Sequence, residues 1–422
     1  MGLWGWLWGR RGPSGCGSAS TAEEVTAGVD ASNLTAIVTG ATNGIGKETA
    51  RVLALRGAKV IIPARTLESG LKVKESLAEQ VPSSKLHVME MDLSSLSSVR
   101  DFARSFDSSH EHLNLLMYVS AAISETLQIY IQNSACRCRT RSHGIMACPY
   151  QLSKDGIELQ FATNHVGETF LADKSPARQD EINCQRDSVQ GRIINVSSIA
   201  HKRSDGTCFE LNKLNDKARY QLFMSYCHSK LANILHANEL SRRFQEEGCN
   251  LTANSLHPGM IVTNIIRYVA GNNSNDIASS DLSKKNLLIF QKHCKLRPNK
   301  KIHSRTNSYC WILFQLTNTN VCLTDALISV LSPVANLVVK SIPQGAATTC
   351  YLALHPNVKD VSGKYFADCN EATPTAVARD SELAKRLWSF SEELVGINAD
   401  MSQTTQASEE EDVQVKDVIQ AK

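Results

Sequence analysis

Leu34-Thr-Ala-Ile-Val-Thr-Gly-Ala-Thr-Asn-Gly-Ile-Gly46 begins as an apolar, β-branched run and ends in three closely spaced glycines. The run reads as a first buried strand, because β-branched residues suit a pleated core and the glycine ends it. From Lys47 the period changes. Ala50, Val52, Leu53 and Leu55 supply the apolar positions of a helix, and Arg56-Gly57 gives the basic last turn and glycine that stop it. A glycine turn between a buried strand and a helix N-terminus puts Gly40, Gly44 and Gly46 where a pyrophosphate would meet backbone N–H groups, with no Cβ to block its approach. A glycine triplet alone specifies only a tight turn; the strand before it and the helix after it make it a nucleotide site.

Working outward, Lys59 to Pro63 reads as a second strand, Leu67 to Gln80 as a helix and Leu86 to Met91 as a third strand. A helix starts near Ser94, and Leu113 to Met117 reads as a fourth strand. The pattern resumes with Gly191 to Ser198 as a strand, a helix around Tyr226 to Phe244, a strand over Leu251 to Leu256 and a helical region from Ile342 to Leu354. Regular alternation of strand and helix predicts an α/β fold, a Rossmann-type doubly wound parallel sheet in a single domain with irregular insertions. The predicted layout is an N-terminal segment over 1–33, the domain over 34–402 and an acidic, disordered tail over 403–422, where Glu409, Glu410, Glu411 and Asp412 are adjacent.

The 422 residues allow two or three domains, or one α/β domain with insertions. Hydrophobic residues at 42% and charged residues at 21% exclude collagenous, coiled-coil and wholly disordered chains. A net charge of +3 is too small for a general nucleic-acid binder, so no nucleic acid is expected. The 13 cysteines are scattered, which suits a reducing, cytoplasm-like compartment better than a disulfide framework. Cys136 and Cys138 form the one close pair, with no second pair at zinc spacing, and no metal is expected. The stretch Ser14 to Asn33 reads as a small, polar, acidic linker. Before it, Trp4, Trp6, Trp8, Arg10 and Arg11 describe either a peripheral membrane-surface contact or a frayed terminus; the apolar run is too short to span a bilayer.

The end of the second strand decides which nucleotide is held. An acidic side chain there would bind a ribose 2′-hydroxyl, but no acid occurs between Val60 and Thr66. Arg65 stands there instead, and a guanidinium pairs with a 2′-phosphate, which favours NADP (NADPH); the plain alternative is a surface arginine. Asp92, ending the third strand, either accepts from an adenine amino group or caps the next helix. Tyr226-Cys-His-Ser-Lys230 sets a phenol and an ammonium four residues apart on one helix face, and the cation is expected to lower the tyrosine pKa toward acid–base use. Ser198, after the strand Ile193 to Val196, is able to hydrogen-bond a carbonyl oxygen and hold it near that phenol. The plain alternatives are a strand-end hydroxyl, a half-buried aromatic and a solvated lysine.

Taken in this order, these segments resemble the short-chain dehydrogenase/reductase family, within it the retinol-dehydrogenase-like branch and the plant members of the chloroplast inner-envelope import translocon. The likeness is carried by Thr39 to Gly46, Asp92-Leu93, Asp155 to Gly167, Gly191 to His201, Tyr226 to Leu240, His257-Pro-Gly259 and Ser341 to Leu354. It implies that Ser198 orients a carbonyl, Tyr226 gives or takes the proton, Lys230 binds the nicotinamide ribose, and Asn164 holds the water of a proton relay. It further implies cofactor contacts from Thr39, Gly40, Asn43, Gly44, Ile45, Gly46, Arg65, Asp92, Leu93, Pro258, Gly259 and Thr263, besides Tyr226 and Lys230. The substrate would be a small carbonyl or alcohol. Chloroplast inner-envelope association, import components as partners and calmodulin regulation are implied by the resemblance alone. The alternative is a catalytically impaired, nucleotide-sensing or regulatory subunit of such an import complex.

Three stretches depart from the family pattern. The expected Asn-Asn-Ala-Gly after the fourth strand is missing, and residues 118–143 have no clear period. Residues 168–187, with Lys174, Arg178, Gln179, Asp180 and Glu181, replace an expected apolar helix. Residues 272–322 form a long insertion carrying a basic run from Lys284 to Arg305 that reads as solvated sequence or, when helical, as a calmodulin or anionic-surface binder. Inserted, retained-intron-like sequence would read this way.

Overall fold

Along Thr35–Val38 (β1), Ala36 and Val38 point into one core while Ile37 points into the other, the alternation that a strand covered on both faces must have. In this computed structural model, which describes residues 11–110, 112–119, 145–146, 148–174, 189–261 and 340–396, β1 is central to an eight-stranded sheet. Its other strands are Lys59–Ala64 (β2), Lys85–Glu90 (β3), Leu115–Tyr118 (β4), Gly191–Val196 (β5), Leu251–His257 (β6), Tyr365–Ala367 (β7) and Asn370–Ala372 (β8). The order is β3-β2-β1-β4-β5-β6-β7-β8, parallel throughout except for β8, which pairs antiparallel with β7. The order reverses between β1 and β4, and at such a switch point loops part to leave a crevice at the carboxyl edge.

Helices start where a short polar side chain accepts an N-terminal N–H: Asn43 for Gly44–Leu55 (α1), Thr66 for Leu67–Gln80 (α2) and Ser95 for Leu96–Ser109 (α3). The next helical run (α4) joins Leu159–Phe161, a π turn at Ala162–Val166, and Gly167–Lys174. Leu222–Glu247 (α5) stops at Gly248, in the left-handed conformation with φ +68°. Ser341 and Gln344 form a reciprocal capping box for Ile342–Leu354 (α6), and a last helix spans 381–396 (α7). One core holds Val38, Ile45, Leu53, Val73, Leu77 and Cys350, from α1, α2, α6 and their side of the sheet. The other holds Ile37, Phe102, Phe106, Phe161, Leu235 and Trp388, from α3, α4, α5 and α7.

Several expectations need correction. Residues 14–33, read as a linker, are folded onto the domain: Ala22–Val25 is a capped helical turn, and Ala22, Val25 and Ala31 are buried. Asn370 ties this segment down, accepting from Ser14 N at 3.0 Å and donating to Cys16 O at 3.1 Å. The departure placed at residue 168 begins later, because α4 continues to Lys174 with Glu168, Thr169 and Leu171 buried. Gly167 permits this: a Cβ there would lie 2.4 Å from Leu93 O. The departure placed at residue 118 also starts late, since Tyr118 pairs with Asn195 and Val119 donates to Thr39 Oγ1 at 3.1 Å. β7, β8 and α7 were not anticipated. The N-terminal tryptophans, Cys136 and Cys138, Thr263, the basic run and the acidic tail lie outside the described residues. No helix of the described residues is long and apolar enough to cross a membrane.

Candidate active site

The carboxyl edge at the switch point gathers the glycine turn after β1, Val119 after β4, Ser198 after β5 and Pro258-Gly259 after β6. Gly40 has φ +64° and Gly44 φ +53°, conformations that side chains rarely adopt. A Cβ on Gly40 would lie 2.3 Å from Val119 O, and one on Gly46 would lie 2.3 Å from Gly40 O. The glycines are therefore required first by the turn's own close packing, which brings the N-terminus of α1 to the sheet edge. That arrangement fits a dinucleotide pyrophosphate, which needs backbone N–H groups at a helix start with no side chain in the way.

The other predicted cofactor contacts divide by where their side chains go. Thr39 spends its hydroxyl on Val119 N, tying β1 to β4. Asn43 Oδ1 accepts from Gly44 N at 2.7 Å, and the Ile45 side chain is buried in the core, so Ile45 has only its backbone to offer a ligand. Arg65 is half-buried, one residue past β2 and just before the Thr66 cap. Asp92 accepts from Ser94 N and Ser94 Oγ at 3.0 and 2.7 Å and lies 3.4 Å from Lys154 Nζ. Burial raises the Asp92 pKa, but these hydrogen bonds and the Lys154 charge outweigh it and hold the carboxyl below the usual range. Ser95, not Asp92, caps α3. Leu93 offers its backbone against Gly167, and Gly259, at φ +99°, abuts the Lys340 side chain.

Tyr226 and Lys230 lie one turn apart on α5, and both are fully buried together with Ser198. Ser198 hydrogen-bonds the Tyr226 phenol, and Lys230 Nζ lies 5.6 Å from the centroid of the tyrosine ring. Three further bonds staple α5 to the end of β5. Lys230 Nζ donates to Val196 O at 3.1 Å, Asn233 Nδ2 donates to the same oxygen at 3.2 Å, and Ser197 Oγ donates to Lys230 O at 2.7 Å. The expected lowering of the tyrosine pKa does not occur: burial pushes the phenol up, and the Ser198 bond only partly opposes it. The same dry environment acts on the cation. Burial pulls Lys230 down to about 8 against the attraction of Glu168.

Asn164 is fully buried on α4. In the π turn its Oδ1 accepts from Ile145 N at 2.8 Å, while Nδ2 donates to Ile145 O at 2.8 Å and to Ser229 Oγ at 3.2 Å. Both amide hydrogens are spent, so the side chain anchors the returning chain at Ile145 and keeps one oxygen lone pair for a water. Glu168, a buried acid near Lys230 with its pKa raised to about 8 by burial, was missed. Its signal was present, since Glu168 stands four residues after Asn164, at the spacing that shares a helix face. Among the described residues, no group of histidine, cysteine and acidic side chains could hold a metal ion.

Residues 34–273 match the family model described as short chain dehydrogenase. The chain belongs to the short-chain dehydrogenase family. It is therefore an oxidoreductase by family, of a kind that uses a nicotinamide cofactor. It is 40% identical, over 94% of its length and 99% of the relative's, to "Short-chain dehydrogenase TIC 32 A, chloroplastic" of Brassica napus. It is 30% identical to human "Retinol dehydrogenase 11" over 86% of each chain. Among solved structures, an uncharacterized protein from Mycobacterium paratuberculosis shares the fold with a TM-score of 0.54 and 24% identity, covering 90% of this chain and 98% of that one.

Proposed function

We propose that this short-chain dehydrogenase interconverts a small carbonyl and its alcohol with NADP(H), using Ser198, Tyr226 and Lys230. The observation that carries the reading is the buried Ser198–Tyr226 hydrogen bond with Lys230 one turn away, at the sheet edge shared with the glycine turn. Bound nicotinamide would supply the hydride chemistry; the protein supplies position and a proton. Ser198 holds the carbonyl oxygen beside the phenol. Tyr226, kept protonated by burial, suits proton donation during carbonyl reduction. Lys230 binds ribose hydroxyls and stabilises the phenolate left behind. Asn164 fixes Ile145 at the rim and offers its remaining lone pair to a relay water. Thr263 and Pro258-Gly259 are proposed to meet the nicotinamide end.

Selectivity for NADPH rests on Arg65, a half-buried cation at the end of a strand that carries no acid there. Calorimetry should find tighter binding of NADPH than of NADH, and Arg65→Ala should weaken NADPH binding by ~10-fold or more while sparing NADH. Tyr226→Phe should abolish turnover across a carbonyl panel with NADPH binding retained. NADPH binding by the wild-type chain without turnover would instead favour a nucleotide-sensing subunit of a chloroplast envelope import complex. The 40%-identical relative, chloroplastic by name, supports that second reading and a peripheral chloroplast setting. The basic run from Lys284 to Arg305 is the proposed calmodulin-binding segment, and a peptide of that run should capture calmodulin.

A further inference from the structure

The side chain of His201 is fully buried in the 3-10 turn Ile199–Arg203, three residues after Ser198, and nothing in the proposed hydride transfer uses it. Its two ring nitrogens meet different elements. Nδ1 lies 2.7 Å from Ser198 O, and Thr375 N donates to Nε2 at 3.4 Å. Burial lowers the ring's pKa to about 4, so the ring is neutral at neutral pH and carries one hydrogen. A backbone N–H only donates and a carbonyl oxygen only accepts, so both contacts are satisfied when that hydrogen is on Nδ1. Tyr365 of β7 packs against the ring in a T-shape, with centroids 5.3 Å apart. Beyond the ring, Thr375 Oγ1 accepts from Ala378 N at 3.4 Å, and Ala378 O accepts from Asn238 Nδ2 of α5 at 2.9 Å, so α5 holds the turn that Nε2 meets.

Ser198 stands just past the end of β5: the strand closes at Val196, and Ser197 N donates to Leu256 O at 2.8 Å. Within its own turn, Ser198 Oγ accepts from Ala200 N at 3.2 Å and Ser198 O accepts from His201 N at 3.1 Å. The ring bond to Ser198 O is shorter than either, and of these three it alone leads on to an element distant in sequence.

We propose that His201 is a positioning residue for Ser198: its Nδ1–H pins the Ser198 carbonyl oxygen, and its Nε2 ties that pin to the turn at Thr375. Fixing the Ser198 backbone fixes where its hydroxyl points, and a misplacement of about 1 Å in a substrate-orienting group costs about 100-fold in rate. The effect on turnover rests on the function proposed above; the pin does not.

The test compares His201→Asn with His201→Gln in the full chain. The Asn amide nitrogen falls at the place of Nδ1 and still donates to Ser198 O, whereas the Gln amide falls at the place of Nε2 and keeps only the Thr375 bond. With NADPH and a carbonyl that the wild-type chain reduces, His201→Gln should lower kcat about 10-fold or more with the KM for NADPH unmoved, and His201→Asn should keep kcat within ~3-fold of wild type. Equal losses in the two variants, a greater loss in His201→Asn, or a loss confined to KM overturns the proposal. The ring hydrogen is also read directly on the wild-type chain, by long-range proton–nitrogen NMR with labelled histidine rings at neutral pH. The His201 signals, assigned by their absence from either variant, should show Nδ1 protonated and Nε2 bare. A ring protonated at Nε2 overturns the proposal even where one variant does not fold. If the wild-type chain shows no turnover, it is the reading of the site as an active site that fails, and the ring spectrum still decides whether the pin exists.

Discussion

Gly40 faces two separate obstacles to substitution, and they can be measured apart. Its φ of +64° costs any side chain roughly 1 kcal/mol, and a Cβ would also sit 2.3 Å from the Val119 carbonyl oxygen. Gly28, at φ +75° with nothing within 4 Å of a built Cβ, faces the first obstacle alone. In denaturant melts Gly28→Ala should therefore cost about 1 kcal/mol, and Gly40→Ala should cost at least ~2 kcal/mol and weaken NADPH binding as well. Equal losses would show that β4 gives way freely at Val119. Asn164 combines two tasks in the same way, anchoring the Ile145 backbone 19 residues before it through both Oδ1 and Nδ2.

At the scale of elements, α7 decides how the second core is closed. Trp388 stacks on His236 at 5.6 Å, the Arg243 guanidinium lies over its ring 4.1 Å from the centroid, and Leu387 and Leu394 are buried beside it. Trp388→Ala should cost about 3 to 5 kcal/mol, read as a lower denaturant midpoint with an unchanged slope. α7 also supplies Ser391 to His165, so its loss reaches α4 and the site. The N-terminal segment is held more lightly. Its two bonds to Asn370 are only partly buried, and Asn370→Ala should cost about 1 kcal/mol for each.

Across the whole molecule, buried titratable groups set opposing pH limits. Burial lowers His165 and His257 to about 3 and His201 to about 4. These rings are neutral in the fold and protonate in the unfolded chain below the ordinary value of 6.5, so their stability is present above 6.5 and is lost as pH falls through the folded values. Burial raises Glu158 to about 7 and Glu168 to about 8, so the unfolded chain ionises first and stability falls as pH rises from 4.5 through those values. Denaturant melts should place maximum stability near pH ~6.5 with the steepest fall below about 4.5, where the acids no longer offset the histidines. His165→Gln should flatten that acid fall; an unchanged profile would mean that His165 stays hydrated. NADPH at about 100 times its Kd should add about 2.7 kcal/mol to the same melts.

The strand–turn–helix at residues 34–55, the end of β2 at Arg65, the Ser198 strand end and the Tyr226–Lys230 spacing were all legible from local pattern. Their periods and turn chemistry depend on neighbours within one or two turns. β7 and β8, three residues each, are too short to show a period, and α7 hides behind an unremarkable run of charged residues until Leu383, Leu387 and Leu394 are seen buried. Residues 14–33 looked like a linker because their contacts are to Asn370, Gln344 and Arg56, far away in sequence. By itself the sequence determined the fold class, the glycine turn and the spacing of Ser198, Tyr226 and Lys230, since these depend on composition and local pattern. Only the tertiary structure decided that the Tyr226 phenol is pushed up, that Asn164 anchors Ile145, and that Glu168 is buried. Burial and long-range hydrogen bonding set those outcomes, and neither is a property of any stretch of chain alone.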